Sequence, residues 1–167
     1  MAATVSISES NGAGESVTAS ITNTNMGSTD AVNLDPVTYP ITPADLSYAK
    51  YQRFNVTAMG GSSAIRTLKV WRTGAMGGSA THLTNAGETT DYNQLAYAQP
   101  INTAVVDADN AMPTSEPATP NLGIATSLSS SLTATGYSDY LVHQITTDAG
   151  DVAGSTSTMS YQYDEVA

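Results

Sequence analysis

The sequence predicts an all-β fold, a β-sandwich of jelly-roll or immunoglobulin-like type with long loops rich in Pro, Gly and Ser. Short stretches in which apolar and polar residues alternate are separated by turn residues, as in half-buried strands. The composition agrees, because Tyr, Thr and Val favour strands and helix formers such as Glu, Lys and Arg are scarce. A length of 167 residues suits one domain. We therefore expect a single β-sandwich domain over residues 1–167, with an extended N-terminal segment and long loops around 23–47 and 107–121.

The first third of the chain predicts a hairpin followed by a long loop. TVSISES (4–10) and SVTASIT (16–22) alternate in the strand period on either side of the turn NGAG, which indicates a hairpin or two neighbouring strands. The stretch 23–45 contains three prolines among several Asn, Asp and Gly residues. It predicts an ordered excursion without a long element.

The clearest strand pattern lies in YQRFNVTAM (51–59) and AIRTLKVWR (64–72), which the turn GGSS separates. In the first strand, Phe54 and Val56 share a face, and Arg53 lies on the other. Strict alternation gives the second strand two mixed faces, one with Arg66, Leu68, Val70 and Arg72 and the other with Ile65, Lys69 and Trp71.

The remaining strands are predicted from shorter patterns. A short strand is expected around His82 to Thr84, and one or two strands interrupted at Pro100 in TTDYNQLAYAQPINTAVV (89–106). The last third alternates in GIATSLSSSLTAT, SDYLVHQITT and STSTMSYQYDEV. In the final strand Met159, Tyr161 and Tyr163 line one face.

Composition and charge limit the classes of function that the chain can have. The absence of Cys excludes disulfides, thiolate metal sites and thiol catalysis. A net charge of −10 argues against general nucleic-acid binding, which needs a basic footprint. The stretch MAATVSISES has no signal-peptide pattern, and no apolar run is long enough to span a membrane. We therefore expect neither a nucleic-acid partner nor a membrane partner.

No catalytic or metal motif is present. His82 is expected to be solvated and His143 to be half-buried in a strand, and no Ser lies in a G-x-S-x-G elbow. DADN, with Asp107 and Asp109, resembles the start of a calcium loop but lacks the Gly and Glu that an EF-hand requires. We expect no catalytic residue, no cofactor, no metal site and no enzymatic activity.

All five cationic side chains of this acidic chain lie between residues 50 and 72, without an intervening Asp or Glu. They could lie on a solvated face that acidic loops neutralise. They could instead form a partner interface, because Arg pairs bidentately with carboxylates and stacks on aromatic rings. The candidate interface residues are Lys50, Arg53, Arg66, Lys69, Trp71 and Arg72.

Several phrases resemble a family of small virion structural proteins of tailed bacteriophages. They are NTNMGSTDAVNLDPVTYPIT with SYAKYQRFNVTAMGGSSAIRTLKVW, and later AMPTSEPATPNLGI, GYSDYLVHQITT and QYDEV. The resemblance covers most of the chain and lies in phrases, without a catalytic motif. It implies a β-rich structural subunit of the virion, which is assembled in the bacterial cytoplasm and has no enzymatic activity and no cofactor.

The leading hypothesis is a capsid (head) decoration, or cement, protein that binds the outer surface of the major capsid lattice and stabilises the shell. Its expected partners are the major capsid protein and further copies of itself, in a small homo-oligomer such as a trimer. The alternative is a receptor- or glycan-binding module on a tail or fibre, which would use Trp71 and exposed Tyr residues. A hydrolase acting on cell-surface polymer is the third hypothesis.

Overall fold

The fold is a β-sandwich of two antiparallel sheets, as the sequence predicts. The computed structural model describes residues 1–11, 16–87, 110–151 and 154–167, and these residues contain no helix. The strands are β1 (Thr4–Asn11), β2 (Ser16–Thr18), β3 (Lys50–Ala58), β4 (Ala64–Thr73), β5 (Thr81–Thr84), β6 (Asn110–Ala111), β7 (Ser131–Leu132), β8 (Gly136–Tyr137), β9 (Leu141–Thr146) and β10 (Thr158–Val166).

The large sheet has the strand order β2-β1-β3-β9-β5-β6, and β8 also pairs with β3. The predicted N-terminal hairpin is present, with Glu9 opposite Thr18. Its second strand is short and ends at Thr18, and Val17 on it is exposed. The predicted short strand at His82 to Thr84 corresponds to β5.

The small sheet has the order β10-β4-β7, with Arg72 opposite Met159 and Arg66 opposite Asp164. A β-bulge interrupts β4 at Thr67, whose φ of 58° is in the left-handed region. The extra residue places Ile65 on the same face as Leu68, so both are buried. The prediction that Arg66 shares a face with Leu68 is therefore wrong, because strict alternation does not survive a bulge.

The main core lies between the two sheets. Phe54 and Leu141 from the large sheet pack with Leu68 and Val70 from the small sheet. The prediction that Met159, Tyr161 and Tyr163 share one face of the final strand is confirmed, since all three pack against this cluster.

A second apolar cluster lies on the opposite face of the large sheet. It contains Tyr51, Tyr140 and Val142, of which Tyr51 and Val142 are almost fully buried. The central strand β9 therefore buries both faces, as the alternation of SDYLVHQITT around apolar residues suggests.

The predicted strand over GIATSLSSSLTAT is wrong. Ala125 and Thr126 both have positive φ and turn the chain, and the Thr126 N–H donates to the Asp139 carboxylate at 2.7 Å. Only the pair Ser131–Leu132 forms a strand within this stretch. Local hydrogen bonding by Ser and Thr competes with the ladder here.

The predicted strands over 89–106, and Asp107 and Asp109, lie outside the described residues. Residues 23–47 contain no strand of their own, and Leu46 forms an isolated bridge with Thr146. Leu34 anchors this loop by its burial.

Candidate functional site

The six predicted interface residues do not form one patch, because strands β3 and β4 belong to different sheets. Lys50 is inside the protein, and Arg53 lies on the outer side of the large sheet. Arg66, Lys69 and Trp71 lie on the outer side of the small sheet. The sixth, Arg72, points to the inner side at one end of β4.

Lys50 is removed from the candidate interface, because its side chain is completely buried. Its Nζ lies 3.3 Å from Oε1 of the equally buried Glu9 and also donates to the carbonyl oxygen of Ala31. The other carboxylate oxygen of Glu9 accepts hydrogen bonds from Thr24 Oγ1 at 2.5 Å and Gln52 Nε2 at 3.1 Å. Lys50 therefore ties the long loop to the large sheet and is not available to a partner.

Arg53 lies on the outer side of the large sheet and is held there by aromatic contacts. Its guanidinium carbon is 4.3 Å from the ring centre of Tyr140 and 5.0 Å from that of Tyr137. Its Nε donates to the carbonyl oxygen of Ser138 at 2.8 Å. These cation–π contacts keep the planar guanidinium within its own chain.

Three of the predicted residues share the outer side of the small sheet, and we call this surface the β4 outer face (Arg66, Lys69 and Trp71). Lys69 Nζ pairs with Glu116 Oε1 at 2.9 Å. Trp71 is partly exposed and lies opposite Ser160. The face thus combines an aromatic ring, a neutralised ammonium group and a free guanidinium.

Arg66 is the exposed cation of the β4 outer face, and it has no hydrogen bond or ion pair within the described part of the chain. It borders an open cleft of about 680 Å³, which Thr67, Thr119, Ser127 and Ser129 also line. An acidic side chain of another protein could reach the guanidinium there and meet hydroxyl donors as well.

Arg72 points toward the inner side of the small sheet, as its position opposite Met159 requires. Its Nη1 donates to the carbonyl oxygen of Gly74 at 2.5 Å, while its buried Nε has no partner. Arg72 therefore contributes less exposed charge than its neighbour Arg66.

The two histidines form a buried pair, so the prediction of a solvated His82 is wrong. His82 Nε2 lies 2.8 Å from His143 Nδ1, and the side chains are on neighbouring strands β5 and β9. Burial, followed by the neighbouring His143 and Arg72, lowers the pKa of His82 to about 2. Burial and the nearby Lys50 ammonium lower the pKa of His143 to about 3. Both rings are neutral at physiological pH.

A polar network inside the sandwich is the feature that sequence reasoning missed. It runs from the Tyr161 hydroxyl, which donates to Gln52 Oε1 at 3.0 Å, through Gln52 to Glu9 and Lys50. Burial, with the Glu9 charge, raises the pKa of Tyr161. The strand alternation places Gln52 and Lys50 on the same face as Phe54, so the sequence could have indicated that these two polar side chains are buried.

The acidic residues of the described ranges do not assemble a metal site. No group of three or more His, Asp or Glu side chains with metal-binding geometry is present there. The Asp151 carboxylate instead accepts N–H groups from Ser79 at 2.5 Å and Asp148 at 2.7 Å. Among the same ranges, no helix has the length and apolar character needed to cross a membrane.

No protein-family model, no curated protein and no solved structure matches the chain. The fold and the geometry of the β4 outer face are therefore the basis for assigning a function.

Proposed function

We propose that this chain is a structural subunit of a tailed-bacteriophage virion, and specifically a decoration protein that docks on the capsid lattice through the β4 outer face. The observation that carries the proposal is the exposed Arg66 guanidinium on the same face of β4 as Trp71, on a chain of net charge −10. An exposed guanidinium and an aromatic ring on one side of an acidic subunit direct binding to that side, while like net charge keeps the free subunits apart.

The composition of the surface supports docking. Arg and Trp are the residue types most enriched among those that dominate binding energy at protein interfaces. Lys69 is already neutralised by Glu116, so it would contribute mainly the apolar part of its side chain. The resemblance of the chain to small virion proteins favours a partner within the virion, and the major capsid protein is the partner that we propose.

The test is a co-sedimentation assay with capsids that lack the subunit. Arg66→Gln and Trp71→Ala should each weaken particle binding roughly fivefold or more, because interface Arg and Trp side chains cost about 1–4 kcal/mol when truncated. Binding should also weaken as salt rises, since the Arg66 contact is at the surface.

Val17→Glu is the matched control. It changes the formal net charge by the same single unit as Arg66→Gln, from −10 to −11, at an exposed position on the large sheet. It should bind particles like the parent protein. Equal binding by the parent, Arg66→Gln and Trp71→Ala proteins would contradict docking through this face.

The partly exposed Trp71 also favours a second candidate, a receptor- or glycan-binding module of the tail or fibre. A ring on a sheet surface can stack on the apolar face of a sugar. A glycan array with the parent protein and Trp71→Ala distinguishes the two: saturable, Trp71-dependent glycan binding without capsid binding favours the module.

A further inference from the structure

We propose that a partly open cavity, lined by loops and by side chains of both sheets, binds a small neutral amphipathic molecule with an apolar body and a hydroxyl or amide group at one end. This site is distinct from the β4 outer face, and it does not depend on the function proposed above.

The cavity has the size and lining of a ligand site. Its volume is about 710 Å³, within the range of about 300–1,000 Å³ that is typical of small-molecule sites. Loop residues 21–26 and 154–158 form parts of its wall. Much of the lining is apolar, including Ile7, Ile21, Met26, Met76, Ile145 and Met159.

The buried end of the cavity is polar. Gln52, Tyr161 and both histidines line it, and Gln52 and His143 are almost completely buried. Elsewhere the lining mixes apolar residues with Ser, Thr and Asn, and the burial of Gln52 and His143 makes them the groups expected to orient a ligand.

The histidine pair offers an unused donor and an unused acceptor. His82 Nδ1 and His143 Nε2 are buried and have no hydrogen-bond partner. Whichever ring donates the hydrogen bond that joins the pair, one of the two remaining nitrogens carries a proton and the other does not. Both nitrogens are closed to water, so the proposal requires a ring to turn toward the bound ligand. A hydroxyl or amide group can pair with either nitrogen, because it both donates and accepts.

The charges around the cavity select a neutral ligand. Two cations act on the histidine pair, Lys50 on His143 and Arg72 on His82. Lys50 is already paired with Glu9, and Arg72 donates to the Gly74 carbonyl and is not among the residues that line the cavity. At the rim, the Asp151 carboxylate is occupied by the N–H groups of Ser79 and Asp148. A carboxylate or ammonium ligand would lose its hydration without gaining a free counter-charge, which is unfavourable in an apolar site.

The experiment is displacement of the neutral dye Nile red from the full chain, measured by fluorescence, with stoichiometry from calorimetry. The competitors are 1-decanol, decanoate and decylammonium at pH 8, which share one alkyl chain and differ in the head group. We expect one site per chain, displacement by decanol, and at least roughly tenfold weaker displacement by each charged competitor. Equal displacement by all three, or no saturable dye binding, would overturn the proposal.

Two further measurements locate the site. Ala80 lines the cavity, whereas Ala75 is exposed and does not, so Ala80→Trp should weaken decanol binding roughly tenfold and Ala75→Trp should leave it unchanged. The imidazole ¹⁵N signals of His82 and His143 in the parent protein should shift on saturation with decanol. These signals show whether the ligand lies at the histidine pair even if Ala80→Trp fails to fold. Unchanged signals with bound decanol would place the ligand elsewhere and refute the site.

Discussion

The buried ion pair between Lys50 and Glu9 gives the sharpest test of the structure. In Lys50→Met the unbranched side chain keeps most of its volume, so the main effect is an unpaired carboxylate in the interior. Removing one partner of a buried pair costs about 3–5 kcal/mol, and a typical domain has only about 5–15 kcal/mol in total. We expect the midpoint of thermal unfolding to fall by about 6–20 °C, since 1 kcal/mol corresponds to about 2–4 °C at this size.

Thermal unfolding measures the midpoint and urea unfolding the free energy, both followed by the fluorescence of the single tryptophan, with Lys69→Met as the matched control. Lys69 pairs with the exposed Glu116, so its replacement should cost about 0–1 kcal/mol. Combining Lys50→Met with Glu9→Gln should cost less than the sum of the two single changes, by about 0.5–3 kcal/mol. If Lys50→Met and Lys69→Met lower the free energy of unfolding equally, the buried network described above is not a desolvated ion pair.

Two further predictions concern the interior. The depressed pKa values of His82 (about 2) and His143 (about 3) mean that the unfolded chain binds more protons than the folded one below pH 6.5, so stability should fall as the pH falls. The loss of unfolding free energy should reach roughly 2 kcal/mol per histidine between pH 6.5 and 4.5, measured by urea unfolding. His143→Phe should make the stability depend less on pH. A parent protein that is equally stable at both pH values would contradict the buried pair. Asn121 accepts from the Val70 N–H at 2.7 Å and donates to the Val70 carbonyl at 2.8 Å, so Asn121→Ala should cost about 2–4 kcal/mol of unfolding free energy in the same assay. A cost below about 1 kcal/mol would mean that water replaces both bonds.

The parts of the fold that obey strict alternation could be predicted from the sequence. The apolar residues of β1 (Val5 and Ile7) and the apolar and aromatic residues of β10 (Met159, Tyr161 and Tyr163) recur at every second position and pack against the core. Exceptions arose where the backbone departs from β geometry. Thr67 adopts a positive φ that no local pattern signals, and the resulting bulge moves Arg66 to the opposite face from Leu68.

The candidate site was predicted only in part. Clustering of cations along the chain indicated a shared surface, but β3 and β4 separate into different sheets, and long-range partners decide the position of each side chain. Lys50 is buried because Glu9, 41 residues away, lies beside it. The contact partners of Arg53, which are Tyr140 and Ser138, are also remote from it in the sequence. Such contacts depend on topology, which residue spacing does not encode.

The two lysines differ in their access to solvent, since Lys50 is sealed in the interior and Lys69 is not. An amine-reactive reagent should therefore modify the lysine side chains almost exclusively at position 69. The Lys69 amine lies on the β4 outer face. If peptide mass spectrometry shows that Lys69 is no longer labelled in an assembled particle, this face is in contact with a partner.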